Sequence, residues 1–396
     1  MHTAAAGPTA DFDTTPNAPT ADTAGPPASF PSPGLLALAD GLVLGGRLHG
    51  APDPAEGELV FTTASTGWGE ILTDPSYAGQ VVVLTHPMAG SYRIDPGELE
   101  SSRVQARALV VSRLVDPPAG PGIALADLLR DGGIPAISGI DTRALTLALR
   151  NGAARRAVIV PEATGRDAAI TLAAESTRWD AVDHVASVST REPYVVAPDG
   201  ERRARATLVD YGVKGSLLAA LAARGLEITV LPHDASAADV RSHAPDLLVL
   251  SPGPGDPSRM AHPIAVAGEL AASAVSGDGA PILGICLGHQ LLALAAGAET
   301  RRLTVGHHGG NHAVLEAATG RVDIGAHNHE VEVVDGPALA AAGYAVSHRD
   351  LNDGTVEGLT HASGRIASVQ FHPEGAPGPI DASRVFDLAV ERTVGP

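Results

Sequence analysis

The sequence predicts an α/β protein in which a β-rich α+β domain precedes a C-terminal domain built on a parallel sheet. Short alternating apolar segments, separated by turn residues, fill the first half of the chain from Leu35. From Thr207 onward, strand-like and helix-like segments alternate, which is the pattern of a parallel sheet covered by helices. The chain has 396 residues, 44% of them apolar, which is enough for two or three domains with substantial cores.

Composition excludes several classes of partner. The formal net charge is −18, and Lys214 is the only lysine, which argues against nucleic acid or an anionic membrane as a partner. The single cysteine, Cys286, excludes a disulfide framework. No stretch approaches the roughly 20 apolar residues that span a bilayer, and the first basic residue is Arg47, so the N-terminus lacks the features of a secretion signal. We therefore expect a cytoplasmic protein.

The first half of the chain divides into three parts. Residues 1–34 are rich in Pro, Ala, Thr and Asp and predict a disordered tail. Residues 35–190 predict the first domain, with strands in LVLGGRLHG, GELVFTTAS, QVVVLTHP and ARALVVSRLV and helices at 123–129 and from Asp141 onward. Residues 191–206 are polar and contain prolines, which predicts a linker.

Residues 207–396 predict the second domain. Its segments TLVDYG, LEITVLP and DLLVLSPG read as strands that alternate with helices. Active sites of such sheets lie outside the carboxyl ends of the strands. Two glycine-rich turns, SPGPGDP and GICLG, follow predicted strands, so we expect both turns to line one crevice.

Cys286 lies in a Gly-x-Cys-x-Gly turn between a predicted strand, 280–285, and a predicted helix, 289–296. A lone cysteine is more often a small buried hydrophobe. The flanking glycines, however, allow the sharp turn of a nucleophile elbow, which presents its central side chain to a substrate. The N-terminus of the following helix favours a thiolate. We therefore interpret Cys286 as a nucleophile.

The segment ASVQFHPEG supplies the partners that a cysteine nucleophile requires. His372 and Glu374 follow a predicted strand and are two residues apart, so on extended chain the carboxylate and the imidazole lie on the same side. Each residue alone would be an ordinary loop residue. Gly253 and Gly255 allow a substrate to approach the backbone, and the amides of Gly253 and Leu287 are candidate oxyanion donors.

Histidines are concentrated in GHHGGNH, residues 306–312, and AHNHEVEV, residues 326–333. These segments lack the fixed short spacings and the carboxylate partners of an obvious zinc site. We therefore predict no metal in this chain and a surface β-hairpin beside the active site.

These motifs resemble a known family. SPGPGDP, GICLGHQLLALAAGA, GHHGGNHAV and QFHPEGAPGP resemble the class I, Cys-His-Glu glutamine amidotransferases, and GELVFTTASTGWGEILTDPSYAGQVVVLTHP, ESSRVQARALVV and SGIDTRALT are similar to the small chain of carbamoyl-phosphate synthase. The resemblance implies that glutamine is hydrolysed through a cysteine thioester, and that ammonia passes to a large chain in a heterodimer. That partner would use ATP, Mg and bicarbonate to make carbamoyl phosphate for arginine and pyrimidine synthesis, whereas this chain needs no cofactor.

The matching motifs also imply residue roles. Cys286 would be the nucleophile, His372 the base and acid, and Glu374 the residue that orients His372. The residues expected to contact glutamine are Ser76, Gly253, Gly255, Leu287, Gln290, Asn328, Glu330 and Val331.

Three segments depart from the family pattern, residues 66–70, 89–93 and 327–331, and the last lies among the residues expected to contact glutamine. Where the family usually reads Gln-Asn-His-Gly-Phe, this chain has HNHEV, residues 327–331, so Glu330 replaces a glycine. If that position needs a positive φ, the side chain adds strain of about 1 kcal/mol. Its charge would also repel the α-carboxylate of glutamine and raise KM. The alternative is that Glu330 turns toward solvent or an arginine.

This departure supports a second hypothesis of a different class. A chain that keeps the fold but has lost a pocket contact could act as a non-catalytic or regulatory partner that docks on a synthase. The intact set of Cys286, His372 and Glu374 favours the enzyme.

Overall fold

The computed structural model describes residues 31–51 and 53–394. Most of the predicted tail, 1–34, lies outside these residues, but its end at Gly34 was wrong, because the first strand is Ser32–Leu38. Gly34 pairs with neighbouring strands on both sides, so the sheet extends the strand beyond its apolar part. No helix within the described residues is long and apolar enough to cross a membrane.

The first domain is a closed seven-stranded barrel with short helices around it. Its core consists of apolar side chains that alternate inward along the strands, such as those of Val81 and Val83. The elements are β1 (Ser32–Leu38), β2 (Val43–Gly50), β3 (Ala55–Thr62), α1 (Trp68–Thr73), β4 (Gln80–Leu84), β5 (Met88–Ala89), β6 (Ala108–Val110), β7 (Arg113–Leu114), α2 (Leu125–Asp131), β8 (Pro135–Ser138), α3 (Thr142–Arg150), β9 (Arg156–Pro161), α4 (Arg166–Glu175) and α5 (Val185–Val188).

The barrel closes because β1 pairs with both β2 and β9. The strand order is β1-β2-β8-β6-β4-β3-β9, in which the neighbours from β3 to β8 are parallel and the remaining pairs are antiparallel. The predicted helix start at Asp141 is confirmed, since its side chain accepts a hydrogen bond of 2.9 Å from the amide of Ala144.

The second domain contains a ten-stranded sheet with helices on both faces. Its elements are β10 (Tyr194–Val196), β11 (Ala204–Asp210), α6 (Gly215–Ala222), β12 (Leu226–Pro232), α7 (Ala237–Ser242), β13 (Leu247–Leu250), α8 (Ala261–Ser276), β14 (Ile282–Ile285), α9 (Leu287–Ala295), β15 (Thr300–Glu316), β16 (Val322–Val333), α10 (Pro337–Ala341), β17 (Tyr344–Asp350), β18 (Val356–His361), β19 (Ile366–Val369) and α11 (Arg384–Val394).

The sheet is mixed, so the prediction of a parallel sheet holds only for its central part. The strand order is β10-β12-β11-β13-β14-β19-β18-β16-β15-β17, and the five strands from β12 to β19 are parallel. The hairpins β15–β16 and β17–β18 are each joined by a turn, so their strands pair antiparallel. A parallel pair would need a longer crossover connection.

The predicted linker, 191–206, was wrong in part. Tyr194–Val196 forms the edge strand β10, which pairs antiparallel with β12, and Ala204 already begins β11. A three-residue strand with one exposed apolar side chain, that of Val195, has too little periodicity to be recognised in a polar, proline-bearing segment.

Three adjacent parallel strands deliver the predicted site to one edge. The Gly-Pro-Gly turn follows β13, Cys286 follows β14 and His372 follows β19, and these strands are neighbours in the sheet. Their carboxyl ends therefore meet in one crevice, as expected for this type of sheet.

Candidate active site

A strained turn holds the cysteine. Cys286 has φ 50° and ψ −103°, a left-handed backbone that a residue with a side chain rarely adopts, and α9 begins at the next residue. The flanking glycines are required by packing: a Cβ at Gly288 would collide with the carbonyl oxygen of Leu250, and one at Gly284 would lie 2.7 Å from Leu292. The sequence motif thus forms a nucleophile elbow.

The sulfur atom lies among polar groups although Cys286 is only 2% exposed. The side-chain amide of Gln370 donates to Sγ at 3.5 Å, and the carbonyl oxygen of Asn328 lies 3.9 Å from it. Gln290 donates from Nε2 to the carbonyl of Val331 at 2.8 Å and to Gln370 at 3.0 Å. This network orients the amide of Gln370 toward the sulfur, a role that the sequence did not reveal.

His372 and Glu374 form a buried pair. Nδ1 of His372 lies 2.7 Å from Oε1 of Glu374. Burial lowers the pKa of His372, but Glu374 and Cys286 raise it, with a net rise to about 10. Burial raises the pKa of Glu374, but Lys214 and His372 lower it to about 2. The imidazole is therefore held in the charged form beside an ionised carboxylate.

The other nitrogen of His372, Nε2, is buried and has no hydrogen-bond partner among the described residues. Cys286 is among the groups that raise the pKa of His372, so the two side chains interact.

Lys214 completes the pair and was not predicted as a site residue. Its ammonium lies 3.3 Å from Oε1 of Glu374 and donates to the carbonyl of Ala376 at 2.6 Å. Its side chain is 2% exposed. The composition offers one clue to this role, because Lys214 is the only lysine of the chain. Nothing in the local sequence links residue 214 to residue 374.

A small cleft lies over the sulfur. It is lined by seven of the eight residues predicted to contact glutamine, together with Cys286: Ser76, Gly253, Gly255, Gln290, Asn328, Glu330 and Val331. Leu287 does not line it; its side chain packs close to Gly253 instead. The lining residues that the sequence did not predict are Gln80, Trp179, Pro254, His308 and His329.

Two lining side chains from the barrel have unused hydrogen-bonding atoms. Oγ of Ser76 and Oε1 of Gln80 are buried, and neither has a partner within the part of the chain that the structure describes. Asp74 holds this segment in place by accepting a hydrogen bond of 2.8 Å from the amide of Ser76. Both atoms are therefore available to a bound molecule.

Asn328 joins the two domains across the cleft. Its Nδ2 donates to Asp74 of the barrel at 3.0 Å, while its Oδ1 lies 2.9 Å from Nδ1 of His308. The ring of His308 stacks on Tyr77. The Asn328 side chain is thus occupied by protein partners on both sides, so only its backbone faces the sulfur.

Glu330 does not behave as the sequence suggested. It lies within β16, and its φ is not positive, so the expected strain is absent. Its carboxylate pairs with Arg155 and His308, and it lies 3.5 Å from Nη2 of Arg302. Burial raises the pKa of Glu330, but His308, Arg155 and Arg302 lower it to about 2. The alternative in which Glu330 turns to an arginine is therefore confirmed.

The predicted β-hairpin beside the active site is formed by β15 and β16. Its description as a surface feature was wrong in part, because the histidines at 307, 308, 327 and 329 are buried. The error arose because Glu357 and Asp350, the carboxylates that pair with these rings, come from a later hairpin. No pattern within the two histidine segments indicates that these carboxylates lie beside the rings.

The fold and the site define a class. A cysteine on a strand–turn–helix elbow, with a buried histidine and glutamate at the end of a neighbouring strand, is typical of cysteine amidotransferases on α/β sheets. Residues 207–391 match the family described as Glutamine amidotransferase class-I. Residues 36–159 match the family described as Carbamoyl-phosphate synthase small chain, CPSase domain.

Curated relatives narrow the assignment. The carbamoyl phosphate synthase small chain of Methanopyrus kandleri is 42% identical over 89% of this chain and 96% of its own length. The pyrimidine-specific small chain of Halalkalibacterium halodurans is 40% identical over 90% and 96%. The small chain of Symbiobacterium thermophilum is 42% identical over 88% and 96%. The chain belongs to the carbamoyl phosphate synthase small chain family.

This membership confirms the predicted role of the chain as the glutaminase subunit of glutamine-hydrolysing carbamoyl phosphate synthase. The alternative of a non-catalytic docking partner is not favoured. The rise in KM that we expected from Glu330 no longer follows, because neither backbone strain nor an unpaired charge is present.

The geometry of Glu330 leads instead to a prediction about stability. Glu330→Gln leaves Arg155 and Arg302 facing a neutral amide in a largely buried position. Because removing one partner of a buried ion pair leaves an uncompensated charge, we expect a loss of roughly 2–3 kcal/mol in the free energy of unfolding. Denaturant-induced unfolding of the purified chain measures it.

Glu332→Gln on the same strand is the matched control. Glu332 pairs with Arg301, whose side chain is 69% exposed, so its loss should cost at most about 1 kcal/mol. Equal effects of the two substitutions would contradict the role of Glu330 as the centre of a buried ion cluster.

Proposed function

We propose that Cys286 hydrolyses the side-chain amide of glutamine with His372 as the proton carrier. The observation that supports this most directly is the buried pair of His372 and Glu374, which follows the strand next to the elbow and leaves Nε2 of His372 without a partner in the described residues. This arrangement supplies a nucleophile, a base and a group that orients the base.

In the first half of the reaction, the thiolate of Cys286 attacks the amide carbon of glutamine and forms a tetrahedral intermediate. We expect the amides of Gly253, in the glycine-rich turn, and of Leu287, at the start of α9, to donate to its oxyanion. His372 then gives its proton to the leaving nitrogen, the C–N bond breaks, and ammonia departs from a thioester of Cys286.

In the second half, water attacks the thioester carbon. His372, now neutral, removes a proton from this water, the C–S bond breaks, and glutamate leaves. Glu374 stays ionised throughout because Lys214 and the imidazole both stabilise its charge. The proton returned to His372 restores the starting state.

Glutamine recognition is supported by the unused atoms of the cleft. Ser76 and Gln80 line the cleft beside the sulfur, and Oγ of Ser76 and Oε1 of Gln80 have no partner in the described residues. The side-chain oxygen Oε1 of Gln80 can accept a hydrogen bond from the α-ammonium group of the substrate. Gly253 and Gly255 also line the cleft. Packing requires the glycine at 253, because a Cβ there would collide with the carbonyl oxygen of Tyr211.

The ammonia is consumed by a separate large chain, as the names of the relatives suggest. We propose that this partner uses ATP, Mg and bicarbonate to make carbamoyl phosphate for arginine and pyrimidine synthesis, in a cytoplasmic heterodimer. This chain then contributes glutamine hydrolysis and needs no cofactor of its own.

The first test separates glutamine use from ammonia use. In a complex reconstituted with a large chain, Cys286→Ala should abolish glutamine-dependent carbamoyl phosphate synthesis and leave ammonium-dependent synthesis intact, because the thiol acts only on the amide. Product formation with each nitrogen donor measures this. Equal loss with both donors would mean that Cys286 maintains the structure or the interface instead.

The second test concerns the charge on Glu374. In Glu374→Gln the imidazolium loses its carboxylate, so the pKa of His372 falls from about 10. We expect the alkaline limb of the kcat/KM profile to move to lower pH and kcat to fall on the order of 10²-fold or more. An unchanged limb would show that the carboxylate does not control the proton on His372.

The third test addresses Gln80, which the sequence did not identify. Gln80→Leu removes the buried acceptor but keeps the volume, so we expect KM for glutamine to rise about tenfold while kcat changes little. Gln105→Leu is a control, because Gln105 bonds to Ser101 outside the cleft. If both variants keep the KM of the parent protein, Gln80 does not contact the substrate.

A further inference from the structure

The strand β16 has two buried faces with different chemistry. Asn328 and Glu330 face the cleft over the sulfur. His327 and His329 alternate with them along the strand, and their rings share a buried cluster with His307. His329 also contributes to the lining of the cleft.

Three imidazoles in this second region converge on one carboxylate. Nε2 of His327 lies 2.9 Å from Oε2 of Glu357, while Nδ1 of His307 and Nε2 of His329 lie 3.8 and 3.9 Å from its Oε1. All four ligand atoms lie within 4.8 Å of one another. The side chain of Glu357 is fully buried.

Two of these contacts are too long for hydrogen bonds but suit ligands of one ion. In a tetrahedral zinc site with ligand distances of about 2.0–2.1 Å, neighbouring ligand atoms are about 3.3–3.4 Å apart. Nδ1 of His307 and Nε2 of His329 are buried and have no hydrogen-bond partner anywhere in the described residues. Buried polar atoms of this kind require an explanation.

In each of the three rings, the nitrogen that does not face Glu357 lies near an oxygen atom, and this contact fixes the orientation of the nitrogen that faces Glu357. Nε2 of His307 lies 2.9 Å from a carboxylate oxygen of Asp353. Nδ1 of His329 lies 3.0 Å from the carbonyl of Val331, and Nδ1 of His327 lies 3.3 Å from that of Gly325. Each ring can therefore donate its outer N–H to an oxygen and turn a lone pair inward, which is the arrangement of metal-bound histidines.

We propose that His307, His327, His329 and Glu357 bind one divalent transition-metal ion, with Zn²⁺ as the preferred occupant. Three imidazoles and one carboxylate suit Zn²⁺ and leave no position for substrate in a tetrahedral site. The ion would tie β15 and β16 to β18, directly behind the strand that lines the glutamine cleft.

A second set of donors overlaps the first. His312 and Asp350 lie close to His307 and His327, and the four could also surround an ion. Nδ1 of His312, however, is already 2.7 Å from Oδ2 of Asp350, so this pair satisfies itself by a hydrogen bond. The set with Glu357 is preferred because two of its nitrogens have no partner.

The test measures metal binding by the full chain, without an affinity tag, after treatment with a chelator. All proteins carry Cys286→Ala, because a thiolate could bind Zn²⁺ by itself. Equilibrium dialysis with ZnCl₂ should give one ion per chain, and CoCl₂ should produce the visible absorption bands of tetrahedral Co²⁺. A chain that binds neither ion stoichiometrically would overturn the proposal and leave a hydrogen-bonded histidine network.

Variants locate the ion. His329→Gln and Glu357→Gln should each weaken Zn²⁺ binding tenfold or more, whereas His312→Gln should retain it. His361→Gln is the matched control, since His361 bonds to Ser363 and Ala342 away from the cluster. Loss of binding in His312→Gln but not in His329→Gln would overturn the assignment in favour of the overlapping set.

Thermal unfolding supplies a readout that does not depend on glutamine hydrolysis. Added ZnCl₂ should raise the Tm of the parent protein and of His361→Gln, because the ion binds only the folded chain. It should not raise the Tm of His329→Gln. An equal rise in all three proteins would place the ion elsewhere and contradict the proposal.

Discussion

The strained turn at Cys286 is the constraint on which the rest of the site depends. Its amide donates to the carbonyl of Val369 in β19 at 2.8 Å, and the amide of Gly288 donates to the carbonyl of Ser251 after β13 at 3.1 Å. The turn is therefore bonded to both neighbouring strands, which carry the glycine-rich turn and His372. Cys286 has a positive φ directly after a central strand of the sheet. Such a strained residue persists only where the surrounding packing fixes it. The position of the sulfur, the helix behind it and the proton carrier beside it all follow from this one connection.

Both domains contribute side chains to the cleft. Polar groups from the barrel therefore pair with polar groups from the second domain at its edge. Asp74 of the barrel accepts from Asn328 of the hairpin, and Glu58 and Arg155 of the barrel face Arg302 and Glu330. Two carboxylates and two guanidinium groups balance one another at the junction. Buried charges are costly unless they are paired, so this junction tolerates little displacement. The barrel thereby supplies part of the wall beside the sulfur as well as the surface on which the second domain rests.

Local patterns predicted the parts of the site that depend on neighbouring residues. The glycines around Cys286 and the spacing of His372 and Glu374 each reflect a short backbone geometry, so the elbow and the pairing could be inferred directly. Groups brought together over long distances in the chain could not: Lys214 meets Glu374, and Arg155 meets Glu330 across 175 positions. The mixed sheet was missed for a related reason, because the direction of a strand depends on its connections rather than on its own alternation.

The two-faced strand β16 also limits how the length of this chain can change. Because its side chains alternate and both faces are buried, inserting or deleting one residue between 324 and 331 would exchange the cleft face with the histidine face. One such event would disturb both the cleft and the histidine cluster, which share His329. Residues 317–320, at the turn between β15 and β16, are exposed and carry no such restriction. We therefore expect natural length variation in this hairpin to occur at that turn. The same turn is the best place for an engineered label or loop.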